Sequence, residues 1–245
     1  MPDCSQKNRP EPNRSKPAAP PSLPSRLGRL LLCAALLAPA IAAAGSTPEL
    51  VAEAEALALE GDYSAALPLY EQAIASLAGQ PKAQHNLRYR YGIVLSALGG
   101  ELRPDLYPLA RAQFESVLDF LASGQSLTHS PARVRSALAH TYHQQAASAE
   151  AGQQVELLRS AYFLYRGAVP ELASQAEWHN LAITYFNLGQ VCEWQGNLAE
   201  AVDWLEKAVA LDRQHGFADL EQDSAYLLAL REQLNPSAHA TTTAL

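Results

Sequence analysis

The sequence is poor in cysteine, in β-branched residues and, after its first 44 positions, in basic side chains. Of three cysteines only Cys192 lies beyond that N-terminal stretch, so the rest of the chain has no internal disulfide to form. Few β-branched residues argue against a sheet, and abundant alanine and leucine favour helix, because they lose little side-chain freedom there. The 245 residues are 48% hydrophobic, which is enough to bury a core.

Charge divides the sequence into two parts. The full chain has a formal net charge of -7, with six basic and two acidic residues before Gly45 and 12 basic and 23 acidic residues from there on. The larger part is therefore strongly acidic, and phosphate backbones and anionic lipid repel it. We expect protein partners and no nucleic acid.

The N-terminal region has the composition of an export signal behind a polar stretch. Residues 1–26 are Pro-rich and polar, and we expect no fold there. Residues 27–44 contain an apolar run of about 15 residues, which fits the core of a signal peptide and is short for a membrane span. We therefore expect a periplasmic or secreted protein. The alternative is a retained signal that anchors the chain in the membrane, facing the periplasm.

Two distant segments repeat one pattern of small residues around a glycine turn. Gly189 and Ala201 stand 12 residues apart on either side of Gly196, and Ala54 and Ala66 have the same separation around a second glycine. Small residues at these positions let two antiparallel helices approach closely, while large residues fill the space around them. The pattern predicts helix pairs.

The later copy, from about Ala182 to Arg213, resembles the tetratricopeptide repeat. The matching positions are Tyr185, Leu188, Gly189, Cys192, Gly196, Ala201, Leu205 and Ala208. Two looser copies lie between the outer ones. The first has Gly92 and Ala110 at the small positions with six inserted residues, which we expect to form a turn or loop after Gly99. The second has ten inserted residues, which we expect to lengthen its helices before Pro170 ends the pair.

The resemblance covers roughly residues 47–234 and implies an all-α fold. We expect a right-handed α-solenoid of about four such helix pairs, closed by a C-terminal capping helix over Ala218–Leu234. Its polar side is assigned to Glu221, Gln222, Asp223, Arg231 and Glu232. Residues 235–245 are expected to be a disordered tail.

The resemblance also implies a concave groove lined by the first helix of each pair. We expect an exported scaffold or assembly factor that binds a partner peptide or helix there. Helical periodicity predicts that twelve residues of these first helices point into the groove. They are Asn86, Tyr89, Ile93, Ser96, Arg133, Ser136, His140, His143, Ile183, Phe186, Asn187 and Gln190. The first pair presents Val51, Glu55 and Ala58 instead of the lysine and asparagine with which some family members clamp a C-terminal carboxylate, so we do not expect that recognition.

Catalytic and cofactor motifs are missing from the sequence. It contains no Gly-rich phosphate loop, Gly-x-Ser-x-Gly elbow or dinucleotide fingerprint. His140 and His143 are spaced for neighbouring positions on a helix, but no spacing supplies a third zinc ligand. Cys192 falls at a packing position, and Glu193, Glu200 and Asp203 are assigned to a solvated face. We expect no enzyme, cofactor or metal, and keep a helical metal-binding or catalytic domain as the remaining alternative.

The first testable prediction is cleavage before Gly45. Ala42 and Ala44 form the small-x-small pattern that signal peptidase accepts after a short apolar run. N-terminal sequencing of the exported protein should begin at Gly45. A mature chain that still begins upstream of Leu27 would contradict this and support the anchored alternative.

Overall fold

A computed structural model describes residues 47–101 and 103–235. The predicted signal region, the polar stretch before it and the tail from residue 236 lie outside the described residues. The described ranges form no strand, one 3-10 helix (Pro104–Leu106) and a series of α-helices. These are α1 Thr47–Leu59, α2 Tyr63–Ser76, α3 Pro81–Glu101, α4 Tyr107–Ala122, α5 Pro131–Ala146, α6 Ala151–Ser174, α7 Trp178–Trp194, α8 Leu198–His215 and α9 Leu220–Leu234. None of these helices is long and apolar enough to span a membrane.

The helices pack as four consecutive pairs followed by a single helix. Each helix contacts the next along the chain, and α9 packs against α8. The first helices of the later pairs also contact each other, α3 with α5 and α5 with α7. The second helices of these pairs make fewer contacts with each other. The array therefore curves with the first helices on its inner side. This confirms the predicted α-solenoid of four helix pairs and a capping helix.

Small residues sit where the two helices of a pair approach most closely. A Cβ atom on Gly189 of α7 would lie 2.7 Å from Cγ of Leu205 and 3.1 Å from the carbonyl oxygen of Ala201, both on α8. A Cβ atom on Gly92 of α3 would lie 2.8 Å from Cε1 of Phe114 on α4. The two carbon–carbon distances are shorter than packed carbon atoms adopt, so these crossings require glycine. The predicted close approaches are confirmed.

The turns after α6 and α7 have the same geometry but different residues. After α7, Gly196 adopts a left-handed φ of 81°, and the N–H of Asn197 donates to the carbonyl of Cys192 at 2.8 Å. After α6 the left-handed residue is Ala176, with φ 55°. The prediction that Pro170 ends this pair is wrong, because α6 continues to Ser174. Pro170 lies on the exposed face of α6, where water can hydrate the carbonyl that loses its helical hydrogen bond.

Both insertions are largely helical. The first insertion contains the expected turn, the 3-10 helix Pro104–Leu106, but it begins later than predicted because α3 continues to Glu101. Gly99 is a packing residue: a Cβ atom there would lie 3.2 Å from the ring of Tyr107, which is buried and covers the extra turn of α3. The second insertion lengthens its pair as predicted, because α6 has 24 residues.

The capping helix packs Leu227 and Leu230 towards the preceding pair. Asp223 is fully buried, although it was assigned to the polar side. It stands four residues before Leu227 and therefore lies on the same face of the helix. The terminal position of the cap is confirmed, and the predicted polar side is wrong at this residue.

The same substitution at two helical glycines should have opposite effects on stability. Gly189→Ala should overpack the α7–α8 crossing at a cost of about 1–3 kcal/mol, only partly offset by the better helix propensity of alanine. Gly167→Ala is the matched control, because Gly167 lies inside α6 with no atom within 4 Å of its added Cβ, and should stabilise by about 0.5–1 kcal/mol. Thermal melts measure both, and equal shifts of the two variants would contradict the close approach.

Candidate functional site

Residues from three first helices meet around one small cavity on the inner face, the surface formed by α3, α5 and α7. The cavity has a volume of about 30 Å³. It is lined by Tyr89, Arg133, Ser136, Ala137, His140, Asn180, Ile183 and Asn187, six of which were predicted from helical periodicity. The volume admits about one water molecule or a group of that size. The inner face thus offers a small pocket with polar and apolar walls instead of a deep cleft.

The predicted groove residues differ in exposure. The half-exposed ones are Asn86, Arg133, Ser136 and Gln190. The buried ones are Tyr89, Ile93, Ser96, His140, His143, Ile183, Phe186 and Asn187. Their expected exposure is wrong, because other elements cover them: His129 stacks on Tyr89, Trp194 packs on His143, and Tyr226 of α9 packs on Phe186. Partner binding by this face stays a prediction, with fewer residues available for it.

The two histidines of α5 are neutral packing residues. His143 is 1% exposed, its ring lies 4.8 Å from the ring of Trp194, and neither of its nitrogens has a hydrogen-bond partner among the described residues. His140 Nδ1 lies 3.3 Å from the hydroxyl of Tyr165. Burial lowers the pKa of His143 to about 4, and burial with the neighbouring His143 lowers the pKa of His140 to about 3. In the described ranges no three His, Cys, Asp or Glu side chains are grouped to hold a metal ion.

The connection between α4 and α5 reaches the inner face, which sequence reasoning missed. The hydroxyl of Thr128 donates to Oδ1 of Asn86 at 2.7 Å, and the Thr128 N–H donates to the same atom at 3.3 Å. The ring of His129 stacks on Tyr89 with 3.9 Å between ring centroids. Two predicted groove residues of the second pair are therefore already occupied by the chain itself. No sequence pattern indicates this contact.

Arg133 supplies positive charge to the pocket. Its guanidinium lies 5.8 Å from the centroid of the Tyr89 ring. Within the described part of the chain no carboxylate forms an ion pair with it, whereas Arg90 pairs with Glu55 and Arg135 with Glu171. A group that enters from outside therefore meets a guanidinium without a carboxylate in ion-pair contact, although the charge of Glu177 also acts on the neighbouring Tyr89.

The other chemical candidates from the sequence have structural partners. Cys192 is buried, and burial, with a smaller effect of Glu200, raises the pKa of its thiol to about 12, which confirms its packing role. The expected solvated face is wrong for Glu200, which accepts hydrogen bonds from the Tyr162 hydroxyl at 2.6 Å and from Trp204 Nε1 at 3.1 Å.

A broader depression of about 320 Å³ runs along α8, but its walls come from that helix alone. Neither place brings reactive groups together.

One stretch of the chain matches a known family. Residues 178–215, which form α7 and α8, match the family model of the tetratricopeptide repeat. This is the segment whose spacing carries the resemblance. No curated protein matches the chain.

The buried histidines predict a loss of stability in acid. They stay neutral in the folded protein, whereas the unfolded chain takes up protons below a pKa of about 6.5. Their contribution is therefore complete above that pH and falls by up to about 1.4 kcal/mol per pH unit for each histidine as the pH decreases towards 4. His143→Leu, which removes one of these protons, should make the free energy of unfolding less dependent on pH between 6.5 and 5. Urea titrations at several pH values measure it, and a slope equal to that of the unmodified protein would contradict burial in the neutral form.

Proposed function

We propose that this tetratricopeptide-repeat protein is an exported scaffold or assembly factor that holds an extended segment of a partner protein against its inner face. Stacked helix pairs of this kind serve as protein-interaction surfaces in general. The observation that carries the proposal is the convergence of guanidinium, amide and hydroxyl groups from three helices around one pocket. Export is proposed from the sequence of residues 27–44.

The geometry favours an extended partner segment over a helix. A bound helix needs a wide apolar groove for side chains at successive turns. The aromatic and aliphatic residues of this inner face are instead buried between its own helices, and the cavity is only about 30 Å³. The half-exposed groups, Arg133, Ser136, Asn180 and Gln190, suit hydrogen bonds to an extended backbone and its polar side chains.

The outer surface is the competing location for a partner. Phe163 and Val155 of α6 are 64% and 60% exposed there. Both point out among charged residues such as Arg159, and scattered apolar side chains of this kind are normal on a soluble surface. The inner face is preferred because its groups come from separate helices and converge.

Two matched double variants separate these locations. Arg133→Ala with Gln190→Ala removes two half-exposed groups of the inner face. Arg159→Ala with Phe163→Ala removes an arginine and an exposed ring from the outer face. We expect the inner variant to reduce partner capture at least tenfold, or about 1.4 kcal/mol, and the outer variant to leave it unchanged. Crosslinking in the exporting compartment, followed by quantitative mass spectrometry, measures capture.

Circular dichroism melts establish that both variants are folded before capture is compared. Loss of capture in the outer variant alone would place the partner on α6 and overturn the proposal. Equal capture by both variants and the unmodified protein would exclude the inner face as well.

A further inference from the structure

Residues 125–130, called the strap here, lie across one edge of the inner face. They belong to the eight-residue connection between α4 and α5, whereas the other connections that the structure describes in full have three or four residues. The extra length is what lets the strap reach α3, whose Asn86 and Tyr89 it contacts. These contacts join residues 40 and 42 positions apart in sequence, so they belong to the tertiary structure and not to a local turn.

The strap binds α3 in the manner of a foreign peptide. Both the hydroxyl and the backbone N–H of Thr128 donate to the side-chain oxygen of Asn86. The chain bends at Thr128 and His129. An asparagine side chain that receives a backbone N–H holds a peptide backbone without regard to its sequence, and the added hydroxyl bond selects serine or threonine. This position is therefore a subsite for a hydroxyl residue.

The next strap residue occupies a subsite for a planar ring. His129 and Tyr89 stack with an interplanar angle of 27°. Nδ1 of His129 is buried and has no hydrogen-bond partner among the described residues, so the subsite recognises the flat ring and not its polar atoms. Burial, with the positive charges of Arg133 and Arg90, lowers the pKa of His129 to about 3, and the ring is neutral. A phenyl or phenol ring would fill the same place without burying an unsatisfied nitrogen.

The strap lacks a negative charge that could pair with the neighbouring Arg133. Its sequence, Gln-Ser-Leu-Thr-His-Ser, contains no acidic residue. Arg133 lies beside the ring subsite, and the ion pairs of the described residues leave it without a carboxylate. A ligand with an acidic side chain after the ring would supply the missing charge.

We infer that the strap is an internal substitute for the partner, and that the partner is a segment with serine or threonine, then an aromatic residue, then an acidic residue. This segment displaces Thr128 and His129 from Asn86 and Tyr89, while Ser130 stays in place as the N-cap of α5. This inference rests on the proposed function and identifies the partner class of the same face. The strap covers the subsites at Asn86 and Tyr89 until a ligand that also engages Arg133 competes with it.

The competition has a measurable consequence. A segment tethered beside its subsite acts at an effective concentration in the millimolar range, so the face is accessible for only a fraction of the time. The apparent affinity of an outside ligand is reduced by that fraction. Removing the strap contacts should therefore strengthen ligand binding without adding any contact to the ligand.

Fluorescence anisotropy with a labelled synthetic peptide tests this. The probe is Gln-Ser-Leu-Thr-Phe-Glu, and the control peptides replace its Thr-Phe by Ala-Ala or its Glu by Gln. The strap variant is Thr128→Ala with His129→Ala, and Ser126→Ala, an exposed strap position, is its control. We expect the probe to bind the strap variant at least tenfold more tightly than the unmodified protein or the control. Asn86→Ala or Arg133→Ala in the strap variant should reverse that gain, and both control peptides should bind more weakly.

Each alternative result overturns the inference. Equal affinity for the strap variant and the unmodified protein would mean that the strap does not cover the subsite. No binding to either at millimolar probe would mean that the partner chemistry is wrong. Thermal melts test whether the strap variant is folded. We expect it to fold, because Thr128 and His129 lie outside the helices. If the probe fails while the inner-face double variant still loses partner capture, the strap inference is wrong and the proposed function stands.

Discussion

The structure depends on helix crossings in which a residue without a side chain faces a large one. Gly189 against Leu205 and Gly92 against Phe114 let the two helices of a pair approach more closely than any Cβ atom permits. Buried alanines such as Ala54 and Ala66 occupy the equivalent positions in the first pair. Small residues therefore hold these helix pairs close together, and the pairs in turn stack on each other.

That stacking decides the chemistry of the inner face. Rings such as Tyr89, His140 and Phe186 contact His129, Tyr165 and Tyr226, so they become part of the core instead of lining an open groove. What stays accessible is polar: Arg133, Ser136 and amide side chains around a cavity of about 30 Å³. A face of this kind suits hydrogen bonding to a peptide segment, and Thr128 of the strap already donates two hydrogen bonds to Asn86.

Local signals predicted the helix boundaries where a residue has one conformational role. Gly196 ends its helix as expected, because its left-handed φ costs little without a Cβ atom. The predicted boundaries are wrong at residues that can have two roles. Gly99 is a packing residue and not a stop, Pro170 is tolerated on an exposed helix face, and Ala176 takes a left-handed turn that no glycine indicates. In each case a tertiary contact or exposure to solvent decides where the helix ends, and the local sequence pattern contains neither.

The sequence by itself determined the helix pairs, their small-residue crossings and the terminal cap, because each depends on residues within about one pair of helices. Helical periodicity, which is local, also identified six residues of α3, α5 and α7 that line one pocket. Only the tertiary structure decided which of those residues are accessible, because burial there depends on the curvature of the whole stack. The contact of Thr128 with Asn86, 42 residues away, likewise depends on how two pairs meet, and no local pattern encodes it.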